Sequence, residues 1–452
     1  MTMKGRNWIV GAFAGILFLF MQAPLFAWAG QEEDSEAQPD FSLYAASAAL
    51  IDAQSGRVLY GKNADTPMAM ASTTKIMTCI VVLENADMED TLQVSSYAAG
   101  MPKVKLYLKK GETYTVKDLL YSLMLESHND TAAALAEHIG KRYLSQELQN
   151  KSTSDFTAEE SRMAVAAFAS LMNAKAKELG CENTYFITPN GLDATETITL
   201  NNGEIVEREH CTTATELARI MAYCVGQSPK KDAFLEITRT PSYSFSANGR
   251  SFSCTNHNAF LNMMTGALSG KTGFTNKAGY CYVGALESEG RIFVVALLAC
   301  GWPNNKNYKW SDTKELMQYG LDSYFYQAFS EQETAISQGD LAPIPVEGGR
   351  TRILGETAFV PLSVQEDEDG LPGLLLREGE EIQVECRIKK NLKAPVESGT
   401  VVGNIYYIVD DAIYRTDTVI AMETVEKIDF VWCLEQICCR FLQTEAAGAQ
   451  GM

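Results

Sequence analysis

The sequence predicts an α/β domain, one antiparallel sheet with an inserted helical lobe, then a small all-β sandwich domain and a C-terminal amphipathic helix. Three observations carry this. Strand-like segments stand at both ends of residues 43–330, with helical periodicity between them. Short alternating strands punctuated by Gly, Pro and Asp fill 343–422. Apolar residues recur at helical spacing from Phe430 to Leu442.

The N-terminal stretch has a different character. Lys4 and Arg6 precede an apolar run from Trp8 to about Met21, and Ala27-Trp28-Ala29 places small residues at the −3 and −1 positions of a cleavage site. Residues 1–29 therefore read as a secretory signal peptide removed after Ala29. The rival reading is an uncleaved anchor, for which the apolar run is short. Residues 30–42, including "QEEDSEA", read as an acidic linker. The whole chain carries −19, and loss of Lys4 and Arg6 with the signal leaves it more negative still. Such a charge repels nucleic acid and favours solubility. The chain has 11 cysteines, no Cys-x-x-Cys pair and 4 histidines, which argues against a zinc site; no metal or cofactor is expected. Most of the cysteines have apolar neighbours and read as small buried hydrophobes.

Within the catalytic-domain candidate, 43–330, the segment 43–65 alternates on both sides of "DAQSG" as a strand, a turn and a strand. Ile76, Met77, Ile80 and Val81 then follow Ser72 at helical spacing. From Val116 to Gly180 the chain reads helical, broken at "SHND" and by a polar loop over 146–157; Gly180 closes the third helix. "TPNGLD" (188–193) is a turn, and 213–225 is a further helix. Residues 241–254 form a hairpin about Asn248-Gly249. "SGKTGFT" opens a strand, 279–300 gives two more, and 313–329 reads as a closing helix. The sandwich spans 335–425, and the terminal helix 426–445.

Ser-x-x-Lys occurs three times: Ser72/Lys75, Ser228/Lys231 and Ser311/Lys314. Ser228/Lys231 has Pro229 inside it and reads as loop, and Ser311 reads as the N-cap of the closing helix. Ser72 instead starts an apolar helix, with Lys75 one turn along the same face. A buried helix that spends a face on these two residues needs a reason. Downstream come Ser127-His128-Asn129 and then Lys271-Thr272-Gly273 on a strand. A second Ser-x-Asn, Ser246–Asn248, falls in the hairpin turn. Three motifs in this order, each on a fitting element, are far more specific than any one of them.

Residues 45 to about 325 resemble a D-alanyl-D-alanine carboxypeptidase, a low-molecular-mass penicillin-binding protein of the serine peptidase type. "ASTTKIMT", "SHNDTAAALAEHIG", "MNAKAKELG", "TPNGL" and "SGKTGFTNKAGYCYVGAL" carry the likeness, and the β-rich region and the tail match the family's layout. The resemblance implies a β-lactamase/transpeptidase-like fold for the first domain. It implies an acyl-enzyme on Ser72, with Lys75 as its base. Burial and the nearby charge of Lys271 would lower an amine that is otherwise protonated at neutral pH. The resemblance further implies that Ser127 relays a proton to the departing D-alanine and that Asn129 holds Lys75 and the substrate amide. Lys271 and Thr272 would bind the terminal carboxylate, and Gly273 would allow close backbone approach. The backbone amides of Ser72 and Phe274 would form the oxyanion hole. The implied partners are peptidoglycan stem peptides and β-lactam antibiotics, at the outer face of the membrane or in the cell wall.

Two residues depart from the family pattern. His128 fills a position more often held by a small residue; it crowds the cleft or points away from it. Lys309 stands where the family often has an arginine, and gives a point charge in place of a fork. Competing readings are a serine β-lactamase, a non-catalytic wall-binding or penicillin-sensing protein, and an endopeptidase acting on cross-links. The terminal helix is too short of apolar length to span a bilayer; it lies on a membrane or docks on the protein's own surface.

Overall fold

The computed structural model describes residues 39, 41–199, 203–331, 336, 339–353, 355–367 and 370–448, with side-chain surroundings to residue 439. The signal-peptide stretch 1–29 and most of the acidic linker lie outside the described residues.

Strand β1 (Ser47–Asp52) turns at Gly56 into β2 (Val58–Lys62). Both join a sheet completed from the other end of the domain by β3 (Ala267–Thr275), β4 (Gly279–Ser288) and β5 (Arg291–Leu298). The order is β2-β1-β5-β4-β3 and every pairing is antiparallel. Residues 293–298 of β5 are buried without a break, because helices cover both faces. One face carries α7 (Tyr308–Ser323), whose Gly320 lies against Phe293 and Leu50. β3 is the outer strand beside β4, so one of its backbone edges is left unpaired within the sheet.

The opposite face carries the helical lobe. A 3₁₀ turn, Ala71–Thr74, leads into α1 (Lys75–Asn85), which is buried from Lys75 to Leu83. Around it stand α2 (Val116–Leu125), α3 (Asn129–Gly140), α4 (Ala158–Glu178), α5 (Ala214–Ala222) and α6 (Lys231–Arg239). Local chemistry sets several starts. Thr115 accepts from the Asp118 amide, Thr213 from the Glu216 amide, and Thr157 with Glu160 forms a reciprocal capping box. The start of α1 is different: its core placement, not a cap, holds it, since no side chain caps that end.

Several local expectations need correcting. The closing helix runs from Tyr308 to Ser323, and Tyr324–Ala328 is a strand paired antiparallel with Gly373–Arg377. Tyr-Phe-Tyr suits a pleated ribbon, and the Tyr324 hydroxyl donates to the Leu59 carbonyl at 2.7 Å. Ser311 is consequently inside the helix, and Asn307 is its N-cap. Lys231 opens α6, an amphipathic helix burying Phe234 and Ile237, not a loop. Residues 146–157 contain a short helix (Gln146–Asn150) and a 3₁₀ turn (Thr153–Asp155). The 213–225 helix gives way after Ala222 to a π-type turn over Tyr223–Gln227. A hairpin that the sequence reading did not anticipate pairs Thr195–Thr199 with Ile205–Glu209.

Beyond residue 329, among the described residues, the strands other than 373–377 form two small sheets. One joins 358–360, 344–347 and 392–393; the other joins 362–365, 412–421, 401–409 and 383–388. They enclose a second core that includes Phe329, Val346, Val360, Leu374, Ile405 and Val419. Arg57, at the β1–β2 turn, reaches into this region. Its guanidinium donates to both Glu380 carboxylate oxygens at 2.8 and 2.9 Å and to the Leu375 carbonyl at 2.6 Å. Arg57 and Glu380 side chains are 6% and 10% exposed, so this fork is shielded from the water that makes surface pairs weak. The terminal helix, Phe430–Gly448, buries Trp432 but leaves Phe430, Val431, Leu434 and Ile437 exposed. Among the described residues, no helix is long and apolar enough to cross a membrane.

Candidate active site

Ser72 lies in the 3₁₀ turn ahead of α1. Its predecessor Ala71 sits at φ +49°, a left-handed conformation costly for a residue with a Cβ. The turn is tied down locally: the Thr73 hydroxyl donates to the Met70 carbonyl at 2.7 Å and the Thr74 hydroxyl to the Ala71 carbonyl at 2.8 Å. This presents Ser72 half-buried at the mouth of a helix whose first residue is Lys75.

Lys75 Nζ is 2.9 Å from Ser72 Oγ, 2.9 Å from Asn129 Oδ1 and 2.7 Å from the Asn190 carbonyl. The Asn129 amide nitrogen donates to the Lys103 carbonyl at 3.1 Å, which turns its oxygen toward Lys75. Two of the three partners, Asn129 Oδ1 and the Asn190 carbonyl, can only accept. In its neutral form, with two N–H bonds for those two acceptors, the amine would keep its lone pair for Ser72 Oγ. Lys75 is fully buried, and burial, then the charge of Lys271, holds its amine well below the usual lysine range. The ammonium form therefore loses on two counts, solvation and repulsion.

Ser127 links α2 to α3 in a left-handed conformation, φ +66°. That kink turns its hydroxyl to Lys271, whose Nζ donates to Ser127 Oγ at 2.9 Å and to the Thr272 carbonyl at 3.0 Å. Lys271 is 3% exposed, and burial brings its amine down to about 7. Burial thus lowers both amines, and at Lys75 the charge of Lys271 adds to the effect.

Strand β3 brings the rest. A Cβ at Gly273 would meet the Ser72 amide nitrogen at 2.9 Å, and Ala71 Cβ and the Met70 carbonyl at 3.1 Å. The close approach that Gly273 permits is therefore made by the chain's own turn around Ser72. It sets the Ser72 amide beside the strand one residue before the Phe274 amide. Thr272 is half-buried, and Phe274 is partly exposed with its ring 4.7 Å from that of Tyr280.

Three supports escaped the sequence reading. The Asn190 carbonyl is one; a backbone acceptor leaves no side-chain signature. Asp130 is another: it is fully buried, and its carboxylate accepts from the Leu106 and Leu108 amides at 2.9 and 3.0 Å, pinning the loop beside Asn129. His210 is the third. Its Nδ1 accepts from the Ile187 amide at 3.0 Å, so Nε2 carries the proton and donates to Thr74 Oγ1 at 2.8 Å. One imidazole thereby joins the 187–190 loop to the turn that holds Ser72. The adjoining Gly191 sits at φ +82°, where any Cβ would strike the Ala71 carbonyl.

A profile of the D-alanyl-D-alanine carboxypeptidase family matches residues 32–143 and 157–299. The chain belongs to that family. A second profile, the penicillin-binding protein 5 C-terminal domain, matches 346–427. The chain is 26% identical over 431 residues to the D-alanyl-D-alanine carboxypeptidase DacF of Bacillus subtilis, covering 93% of this chain and 95% of that one. Its fold is similar to that of penicillin-binding protein 5 from Haemophilus influenzae, with TM-score 0.60 and 22% identity over 86% of this chain and all of the other. It is also similar to a D-alanyl-D-alanine carboxypeptidase from Mycobacterium tuberculosis, with TM-score 0.51 and 27% identity over 64% of this chain and 96% of that one.

Against the family pattern, the two departures resolve as follows. His128 is 8% exposed and its Nδ1 is 2.8 Å from Ser122 Oγ on α2, so the ring points into the lobe and not into the cleft. Lys309 is buried, its ammonium over the rings of Tyr280 and Trp310 at 4.8 and 4.7 Å and bonded to the Lys306 carbonyl. It therefore stands behind the Phe274–Tyr280 pair. The other motif copies are structural. Ser228 Oγ donates to Glu84 at 2.8 Å, Ser311 and Lys314 lie along α7, and Asn248 occupies a hairpin turn at φ +51°. Cys79, Cys181, Cys224, Cys254, Cys281 and Cys300 are buried free thiols.

Proposed function

We propose that this family member is a serine-type D-alanyl-D-alanine carboxypeptidase that removes the terminal D-alanine from peptidoglycan stem pentapeptides through an acyl-enzyme on Ser72. The observation that carries this reading is the buried setting of Lys75, whose amine is held well below the usual lysine range with its Nζ 2.9 Å from Ser72 Oγ. The amine takes the hydroxyl proton as Oγ bonds to the scissile carbonyl carbon. The developing oxyanion lies between the Ser72 and Phe274 amides, each such donor contributing about 3–4 kcal/mol. When the C–N bond breaks, Ser127 passes a proton to the departing amine. Lys271 and Thr272 hold the terminal carboxylate, and Asn129 holds the substrate amide as well as Lys75. Water then hydrolyses the Ser72 ester. β-Lactams acylate the same oxygen and stay on it.

On this reading the protein works outside the cytoplasmic membrane in cell-wall biogenesis, exported by its N-terminal signal. The exposed apolar side chains of the terminal helix, Phe430, Val431, Leu434 and Ile437, support peripheral contact with the membrane. The test is mass spectrometry of penicillin-labelled protein, combined with D-alanine release from a pentapeptide. The adduct is expected on the peptide containing Ser72, and Ser72→Ala is expected to lose both label and release. An adduct elsewhere refutes the assignment.

A further inference from the structure

Ser127 stands in a left-handed turn at φ +66°, a conformation that lasts only where its surroundings over-determine it. On the C-terminal side of the turn, His128 bonds Ser122 Oγ and the Asn129 amide donates to the Val104 carbonyl at 2.7 Å. On the N-terminal side stands Glu126, whose amide closes α2 by donating to the Ser122 carbonyl at 3.2 Å. The Glu126 side chain reaches away from the helix. Its carboxylate accepts from the Thr255 amide at 2.8 Å through Oε1 and from the His257 ring at 2.8 Å through Oε2. An ionised carboxylate only accepts, so His257 Nε2 bears the proton. Residues 255–258 also rest on the other half of the site. Asn258 packs over β3: a Cβ at Gly270, next to Lys271, would meet its Nδ2 at 2.7 Å. Its Oδ1 accepts from the Tyr282 hydroxyl at 2.9 Å, and Tyr282 is paired in register with Thr272. Asn256 fixes the same segment to the end of α6, donating to the Thr238 and Thr240 carbonyls at 2.8 and 3.0 Å. One short segment thus grips the Ser127 turn through Glu126 and strand β3 through Asn258. The 2.9 Å bond from Lys271 Nζ to Ser127 Oγ spans the same two elements.

We propose that Glu126, clamped by Thr255 and His257, is the positioning residue that aims the Ser127 hydroxyl for proton delivery to the departing amine. The inference rests on the carboxypeptidase reading above, in which Ser127 passes that proton. As the C–N bond breaks, Ser127 Oγ gives its proton to the nitrogen, and the proton that Lys75 took from Ser72 restores it, so no outside acid is needed. Such a transfer depends on alignment, and a small misplacement of the donor is costly. Without the Glu126 carboxylate the turn keeps its bond at the end of α2 but loses its tie to 255–257.

The test uses two donors with the same acyl group: an N-acylated D-alanyl-D-alanine peptide, and the thioester in which thiolactate replaces the last D-alanine. The amine needs a proton to leave, whereas the thiolate leaves without one. Glu126→Ala is expected to lower kcat/KM for the peptide roughly thirtyfold, part of the 10²–10⁴ that positioned proton transfer supplies, and for the thioester by about threefold at most. Glu126→Gln is expected to recover most of the peptide rate, because its amide oxygen accepts from Thr255 and its NH₂ donates to the other tautomer of His257. His257→Ala, at a side chain 62% exposed, leaves the Thr255 bond in place and keeps the test available if Glu126→Ala does not fold. It is expected to lower the peptide-to-thioester ratio by about threefold, the size of one lost hydrogen bond. An unchanged peptide-to-thioester ratio in the folded variant, or Glu126→Gln as slow on the peptide as Glu126→Ala, overturns the proposal. Failure of the carboxypeptidase reading looks different: the wild type then releases no D-alanine from the peptide and takes no label from benzylpenicillin, and the proposal falls with it.

Discussion

Adding one methyl group at Gly273 perturbs the site at its most constrained point. The new Cβ would lie 2.9 Å from the Ser72 amide nitrogen and 3.1 Å from both Ala71 Cβ and the Met70 carbonyl. All three belong to the backbone, or sit directly on it, in a turn already strained at Ala71, φ +49°. No flexible side-chain end is there to swing aside. Restoring ordinary contact requires the turn and β3 to part by about 0.5 Å. That motion separates the Ser72 and Phe274 amides, the proposed oxyanion donors, and shifts Ser72 Oγ from Lys75. Loss of one such donor costs roughly 10²–10³ in rate, and overpacking costs about 1–3 kcal/mol of stability. Gly273→Ala is therefore expected to be acylated by a fluorescent penicillin about a hundredfold more slowly while remaining folded by circular dichroism. Gly273→Ala acylated at the wild-type rate would refute the claim that this contact sets the oxyanion geometry.

The remaining expectations concern charge and support. Lys271 must be protonated to hold a carboxylate, and burial puts its amine at about 7; kcat/KM for peptides should therefore fall as pH rises through that region, with kcat holding to higher pH because bound carboxylate favours the ammonium. Lys271→Arg, charged throughout, should lose that alkaline limb, as a pH–rate profile would show. Glu137 is fully buried on α3, and burial pushes its carboxyl up to about 7. The folded state then keeps a proton that the unfolded chain releases, so stability declines as pH rises from about 4.5 to 7 and levels off above. Glu137→Gln should remove that decline, raising stability at pH 8 by up to about 3 kcal/mol relative to its effect at pH 4, read by denaturant titration. His210→Ala strands Thr74 and the Ile187 amide, with an expected loss of about 1–3 kcal/mol and slower penicillin acylation; a variant with unchanged acylation rules out its positioning role.

How much could be read from the sequence differed by the kind of signal. Ser72, Lys75, Ser127, Asn129 and Lys271 carry distinctive side chains at fixed spacing, and the fold brings them together. The strands at 47–52 and 291–298 were legible from the alternation about "DAQSG" and from the apolar segments flanking the Glu287–Gly290 turn. What escaped was of another sort. The Asn190 carbonyl acts through backbone, which every residue has. The role of Gly273 toward Ser72 depends on an encounter across 200 positions that only the folded chain reveals. The 324–328 strand looked helical because an apolar aromatic run continues the α7 pattern; its partner, 373–377, decides the matter from a distance. Lys231 opens a helix after Pro229, where a proline was taken to mark a loop although it fits just ahead of a helix start.

The protonation state of Lys75 tests the central claim most directly. Lysine labelled with carbon-13 at Cε and observed by NMR, with the Lys75 resonance assigned by its absence in Lys75→Met, reports whether that amine is neutral. The account expects the neutral-amine chemical shift at pH 7.5, persisting well below the pH at which exposed lysines protonate. An ammonium shift at Lys75 at pH 7.5, in protein that still acylates on Ser72, would contradict it.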